Sequence, residues 1–230
     1  MIQHLAIVMD GNRRWARKNK MDVLLGHSKG GVDAVKRTVK FCLEREIPFL
    51  SLYTFSLENF KRTEQEKSYL FNLMVDEGNK SLQEFVDQEI RIKFVGDKSL
   101  FPEKVLNICN DLEEKTKSFT KLTINILFCY GARQEIVCGV KALYHKIKSG
   151  LLSEDDISEK TLNDCLWTQG TPEPDLVIRT GGRKRLSNFL LFQSAYSEFY
   201  FLDCLWPEVQ EEDLQRALDS FGHVTRNFGV

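Results

Sequence analysis

Short apolar runs punctuate the chain at residues 4–9, 48–55, 90–96, 122–129, 175–180 and 198–202, with little polar alternation inside them. Strands buried on both faces read this way. Longer stretches at 28–46, 64–87, 103–118, 132–149 and 211–221 carry the apolar spacing of amphipathic helices. This alternation predicts an α/β fold, with a mainly parallel central sheet of about six strands covered by helices on both faces. The most polar stretch, 149–174, holds a short helical pattern near 158–167, and its Gly170-Thr171-Pro172 turn reads as a loop. With no internal repeat or interdomain linker in view, residues 1–230 are expected to form a single domain.

Composition narrows this only slightly. A chain of 230 residues can bury roughly 70% of its unfolded surface around one core. Its 42% hydrophobic and 28% charged content fits an ordinary globular protein. A net charge of −1 argues against a nucleic-acid partner, while 32 Lys and Arg residues leave room for a local basic pocket. Cys42, Cys109, Cys129, Cys138, Cys165 and Cys204 are spread without a CxxC pair, so reduced core thiols in a cytoplasmic protein are expected. No apolar run approaches the roughly 20 residues that span a bilayer, and the opening Met1-Ile2-Gln3-His4 lacks signal-peptide character.

The first strand runs straight into Asp10-Gly11-Asn12-Arg13-Arg14-Trp15. Ligands of open parallel sheets gather beyond the carboxyl ends of the strands. Gly11 permits close backbone approach, the following helix start favours an anion, and Arg13 and Arg14 supply charge-assisted donors for phosphate. Asp10 is the anomaly among them. A carboxylate beside phosphates makes sense if it holds a hard cation, and magnesium is commonly bound by one or two carboxylates plus substrate phosphates. A plain helix cap explains it equally well at this point. Neither a P-loop nor a GxGxxG follows any strand, so ordinary nucleotide-binding readings lose weight.

Met9-Asp10-Gly11-Asn12-Arg13-Arg14-Trp15-Ala16 resembles the opening signature of the cis-prenyltransferases, the undecaprenyl diphosphate synthase (isoprenyl transferase) family. The resemblance continues through Gly26-His27-Ser28-Lys29-Gly30, Tyr53-Thr54-Phe55-Ser56-Leu57-Glu58-Asn59-Phe60-Lys61-Arg62 and Tyr130-Gly131-Ala132-Arg133, then residues 175–182 and 185–193, Ala195-Tyr196-Ser197-Glu198 and Leu205-Trp206-Pro207-Glu208. It covers nearly the whole chain in order. It implies a usually homodimeric transferase that adds isopentenyl diphosphate to an allylic diphosphate, commonly farnesyl diphosphate. In bacteria the long product is the lipid carrier for cell-wall glycan synthesis, so peripheral contact with the membrane is expected during product release.

The resemblance places the allylic diphosphate at Gly11, Asn12, Arg13, Arg14 and His27. Trp15 and, after the second strand, Ser56, Leu57, Glu58, Phe60 and Arg62 are also implied to bind substrate. Isopentenyl diphosphate falls to Arg179, Arg185, Leu186 and Ser187, and magnesium to Asp10 and Glu198. Asp10 and Asn59 are implied to be catalytic. A carboxamide is a poor proton acceptor. Asn59 is therefore expected to orient a diphosphate or water while a substrate phosphate oxygen takes the proton. His27 is expected to meet phosphate as a protonated donor, and Glu66 to steady Arg62. A greasy product needs an apolar tunnel, for which Tyr69, Leu70, Leu73, Met74, Leu82 and Phe85 on the 64–87 helix are candidates.

Departures from the family pattern are few but chemical. Val23 stands where an Arg is usual, leaving Arg17 or Lys20 to supply the missing contact. Arg183 stands where Glu is common, and Phe128 where a small residue is common, which would narrow the tunnel and shorten the product. The tail Arg226-Asn227-Phe228-Gly229 keeps a basic-plus-glycine character with altered spacing. Two other functions remain in view: a non-catalytic partner subunit and a magnesium-dependent prenyl diphosphate hydrolase. The separate Arg179–Ser187 cradle favours transfer over either.

Overall fold

A computed structural model describes residues 2–223, so the Arg226–Gly229 tail lies outside the described residues. Six strands form one sheet: β1 (His4–Val8), β2 (Phe49–Ser56), β3 (Ile90–Val95), β4 (Leu122–Tyr130), β5 (Leu176–Arg179) and β6 (Glu198–Phe201). Their order is β3-β4-β2-β1-β5-β6, and every pairing is parallel. All six strands fall where the apolar runs predicted them. β1 is buried along its whole length, which is why its sequence shows no alternation.

The helices are α1 (Asn12–Lys18), α2 (Val32–Glu44), α3 (Glu64–Asp87), α4 (Glu103–Thr116), α5 (Ala132–Lys148), α6 (Glu159–Asn163) and α7 (Glu211–Gly222). The predicted 28–46 helix is divided, because residues His27–Gly31 form a π-helical turn ahead of α2. The pattern at 158–167 shrinks to the single short α6. One sheet face packs against residues of α2, α3, α4 and α7, such as Phe41, Leu70, Ile108 and Leu214. The other face carries a smaller cluster built from Ala6, Val177, Tyr130, Ala132, Phe189 and Leu190. Of the six free thiols, Cys42, Cys109 and Cys129 are buried as expected, whereas Cys138, Cys165 and Cys204 are only half-buried.

The chain leaves β1 toward α2 on the first face. It leaves β5 toward Phe189 and Leu190 on the second. β1 and β5 are neighbours, so their connections diverge and open a crevice at their carboxyl ends. Farther along the sheet, the β2–β4 register slips between Tyr53 and Phe55 and again before Ser56. Such irregularities bend strands and often lie beside active sites. This one carries the end of β2 into the 3₁₀ turn Leu57–Lys61.

Candidate active site

Asp10 lies just past β1, in the crevice. Its Oδ2 accepts a 2.9 Å bond from Arg179 Nη2, and its Oδ1 accepts one of 3.2 Å from Arg14 Nη2. Gly11, not Asp10, caps α1, and no side-chain cap bond is present there. That removes the simple capping explanation. Gly11 has φ of 126°, and a Cβ there would meet Leu205 at 2.9 Å, so the turn admits glycine for both conformation and space. The Asp10 carbonyl is fixed by Thr180 Oγ1 at 2.7 Å and Trp206 N at 3.0 Å.

Arg179 is the last residue of β5 and is only 4% exposed. Besides Asp10, its Nη1 donates to the Arg185 carbonyl at 2.6 Å and to Ser187 Oγ at 2.8 Å. Arg185 Nε reaches the same hydroxyl at 3.2 Å. Three of the four residues expected from the 179–187 segment therefore form one cationic cradle, and Leu186 lines the larger cavity beside them. Tyr53 closes it from β2, donating through its hydroxyl to the carbonyls of Ser187 and Asn188, both at 3.4 Å. Burial raises the Tyr53 pKa, keeping the phenol a donor.

A second cluster faces Asp10 across the crevice. Arg62 Nη1 donates to Glu66 Oε1 at 2.9 Å, and Arg13 Nε stands 3.8 Å from the same oxygen. Glu66 thus steadies both arginines, one more than expected. Arg13, Arg14, Arg17, Arg62 and His27 line a cavity of about 290 Å³, with Asp10 as the only carboxylate among the described residues that line it. Burial first, then the charges of Arg62 and Arg13, lower the His27 pKa to about 4. The ring is consequently neutral near pH 7, which corrects the expectation of a protonated donor. Among the described residues its buried Nε2 has no hydrogen-bond partner, nor has Asn12 Oδ1. Gly30 gives this region its close packing, since a Cβ there would lie 2.6 Å from Pro207 and 3.1 Å from the Trp15 ring.

Asn59 Oδ1 accepts from Ser56 N at 3.1 Å, closing the turn after β2. Its carboxamide oxygen is thereby engaged, which leaves the NH₂ group as the end that can face a substrate. From this polar entrance a larger cavity of about 1030 Å³ extends beneath the sheet. It begins among Asp10, Asn59, Arg62, Arg179, Arg185 and Ser187 and continues between Val39, Leu70, Leu73, Met74, Phe85 and Ile124.

A family model described as "Putative undecaprenyl diphosphate synthase" matches residues 8–229. The chain belongs to this family of prenyltransferases. An isoprenyl transferase of Clostridium perfringens is 42% identical over 229 residues, covering 100% of this chain and 90% of that protein. The farnesyl-diphosphate-specific ditrans,polycis-undecaprenyl-diphosphate synthase of Legionella pneumophila is 40% identical, with 99% and 95% covered. Among solved structures, lavandulyl diphosphate synthase from Lavandula x intermedia in complex with dimethylallyl diphosphate superposes with a TM-score of 0.95 at 33% identity, covering 100% of this chain and 98% of that one.

Several expected positions of this prenyltransferase fall elsewhere. Glu198 opens β6 in register with Leu176, which pairs with Leu5. Asp10 lies past Val8, where β1 ends, and Val8 is already three residues or roughly 10 Å beyond Leu5 at about 3.3 Å per strand residue. Within one chain, then, Glu198 does not join Asp10 in a metal site. Trp15, Leu57 and Phe60 line neither cavity. Trp15 packs toward Gly30 and Leu57 toward Gly131, while Phe60 sits edge-on to Phe55 at 5.3 Å. On α3, Tyr69 turns its hydroxyl to Ser28 Oγ at 2.6 Å, and Leu82 packs on the core outside the cavity lining.

The departures are also resolved spatially. Arg17 lines the smaller cavity, whereas Lys20 and Arg183 line neither. Phe128 does line the larger cavity, at 1% exposure, wedged 5.2–5.6 Å from the rings of Phe55, Phe71 and Phe101. Tyr53, Gln134 and Asn188 border the same cavity, though the resemblance implied no substrate role for them.

Proposed function

We propose that this prenyltransferase condenses isopentenyl diphosphate with an allylic diphosphate, most simply farnesyl diphosphate, to give a long cis-polyprenyl diphosphate such as undecaprenyl diphosphate. One observation carries the reading: two arginine-bearing clusters flank one carboxylate, Asp10, where a cavity of about 1030 Å³ with many apolar lining residues begins. Arg13, Arg14, Arg17 and Arg62 hold the allylic diphosphate, with Asn12 and the neutral His27 donating beside them. Arg179, Arg185 and Ser187 hold the second diphosphate. Guanidinium forks suit both tasks. The apolar cavity then serves as the tunnel for the hydrocarbon, and its volume stands at the upper end of the roughly 300–1,000 Å³ of small-molecule sites.

In the reaction, the terminal carbon of isopentenyl diphosphate forms a bond to C1 of the allylic unit. The C1–O bond breaks, and its electron pair leaves with diphosphate. A proton then departs from C2 of the isopentenyl unit. Asn59, fixed through its oxygen, orients the diphosphate with its NH₂ group, and a phosphate oxygen accepts the proton. The arginines on both sides stabilise the charge that gathers on the leaving group. Asp10, a hard oxygen donor lining the smaller cavity, would hold magnesium together with substrate phosphates. When bound it would neutralise phosphate charge and favour departure of diphosphate.

The expectation of a homodimer belongs to the same proposal. The exposed stripe Val137, Val140 and Tyr144 on α5 supports it, as solvent-facing apolar residues at helical spacing suit a partner surface. Among the described residues no helix is long and apolar enough to cross a membrane, so product release calls for peripheral contact. The test is incubation with farnesyl diphosphate, radiolabelled isopentenyl diphosphate and magnesium, followed by chain-length analysis. Labelled polyprenyl diphosphate is expected. Its absence overturns the reading, and phosphate release without chain growth points to a hydrolase instead.

A further inference from the structure

Between the two diphosphate clusters lies a residue that the catalytic pattern does not use. Asn188 follows Ser187 directly, and both adopt left-handed backbone, with φ of 65° and 54°. Asparagine tolerates this conformation better than most side chains. Its own backbone is tied down, because its carbonyl accepts from Ala132 N at 2.9 Å and from the Tyr53 hydroxyl at 3.4 Å.

The side chain reaches three other segments. Its Nδ2 donates to Glu58 Oε1 at 2.9 Å and to Gln134 Oε1 at 3.1 Å, while its Oδ1 accepts from Arg133 N at 2.9 Å. Glu58 belongs to the turn that carries Asn59. Ser187, with Arg185, belongs to the opposing cradle. The N-terminus of α5 is the anchor between them. A single carboxamide, using both its donor and acceptor ends, therefore spans the crevice on the side away from Asp10.

We infer that Asn188 is a positioning residue that fixes the Ser56–Asn59 turn against the Arg185–Ser187 loop, so that the two diphosphates are held in reacting register. The inference rests on the function proposed above. Its physical basis is the cost of misplacement: small displacements of held groups lower rates steeply, and a bond to a charged acceptor such as Glu58 is among the stronger neutral-donor contacts. The allylic diphosphate, held mainly by Arg13 and Arg14 on α1, does not depend directly on this link. The isopentenyl diphosphate does.

Three variants separate the side chain from its backbone. Asn188→Gly keeps the left-handed conformation and removes the bonds. It is expected to raise KM for isopentenyl diphosphate by about tenfold or more while leaving the affinity for farnesyl diphosphate within about twofold. Asn188→Asp places a carboxylate against Glu58, and its KM should fall again as pH is lowered and one carboxylate takes a proton. Adding Glu58→Gln to Asn188→Asp exchanges donor and acceptor across the same gap, and should recover part of the KM lost in Asn188→Asp alone. A wild-type KM in Asn188→Gly, or a double variant no better than Asn188→Asp, overturns the inference. If the unmodified enzyme forms no labelled product, the proposed function fails first and takes this inference with it.

Discussion

His4 offers the most quantitative test of how this fold holds polar groups inside its sheet. The ring is 2% exposed, with Nδ1 at 2.7 Å from the Pro172 carbonyl and Nε2 at 2.8 Å from Ser51 Oγ. A carbonyl can only accept, so Nδ1 carries the hydrogen and Nε2 accepts from Ser51. Ser51 in turn accepts from Asn125 Nδ2 at 3.2 Å, which leaves its hydroxyl proton for the histidine. Protonating Nε2 would set two donors against each other. Burial accordingly lowers the His4 pKa from 6.5 to about 4, against smaller raising effects of the Pro172 carbonyl and Asp175. The unfolded chain takes up this proton near pH 6.5 and the folded chain does not until about pH 4. Stability is therefore complete above 6.5 and is lost as pH falls through that window, by about 2 kcal/mol at pH 5 and about 3.4 kcal/mol in full. His27, lowered to about 4 by burial and two arginines, adds a similar loss. Urea unfolding at pH 7 and pH 5 should show a drop of about 4 kcal/mol from the two rings together, and His4→Gln should remove about half of that pH dependence while lowering stability at pH 7. A His4 ring that titrates near 6.5 by NMR, or an unchanged pH slope in His4→Gln, would refute the reasoning.

Three further outcomes follow from the site and its supports. Asp10→Asn should cut turnover by about a hundredfold or more and weaken the response to added magnesium, measured by initial rates over a magnesium titration. Phe128→Ala opens the cavity wall beside Phe55, Phe71 and Phe101, and longer products by chain-length analysis are expected; an unchanged distribution removes Phe128 as a limit on length. Glu135 is fully buried and accepts from the hydroxyls of Tyr130 and Thr168, from Thr168 N at 3.0 Å and from Gln193 Nε2 at 2.9 Å. Glu135→Ala strands those donors and should cost about 3–5 kcal/mol by chemical denaturation, with Glu135→Gln costing less.

The fold was legible because parallel strands covered on both faces are written as unbroken apolar runs, and β1, buried from His4 to Val8, is the clearest case. The Asp10–Arg14 turn was legible for a related reason, as strand ends and glycine mark where a ligand can approach. What stayed hidden depends on register and on side-chain direction. Nothing local in Glu198 tells that β6 starts opposite Leu176, far from the carboxyl end of β1. Trp15, Leu57 and Phe60 sit among binding residues in sequence, yet turn into packing contacts. The neutrality of His27 comes from burial first and then from Arg62 and Arg13, which arrive from two different segments. Asn188 left only a faint trace, a turn-tolerant residue between Ser187 and the apolar Phe189-Leu190.

Asp10 sharpens what a carboxylate contributes to an anion-binding crevice. Arg14 and Arg179 come from opposite sides of the β1–β5 divergence, and both donate to it. Two guanidinium groups gathered at one carboxylate repel each other. A negative group between them offsets that repulsion and holds both forks at fixed positions before any phosphate arrives. Asp10 can therefore organise the arginines as well as receive a cation, and the two roles separate experimentally. Asp10→Asn keeps an oxygen that can accept from one arginine, so it should retain more diphosphate affinity than Asp10→Ala even where both lose turnover. Equal diphosphate affinity in the two variants would leave cation binding as the only role of this carboxylate.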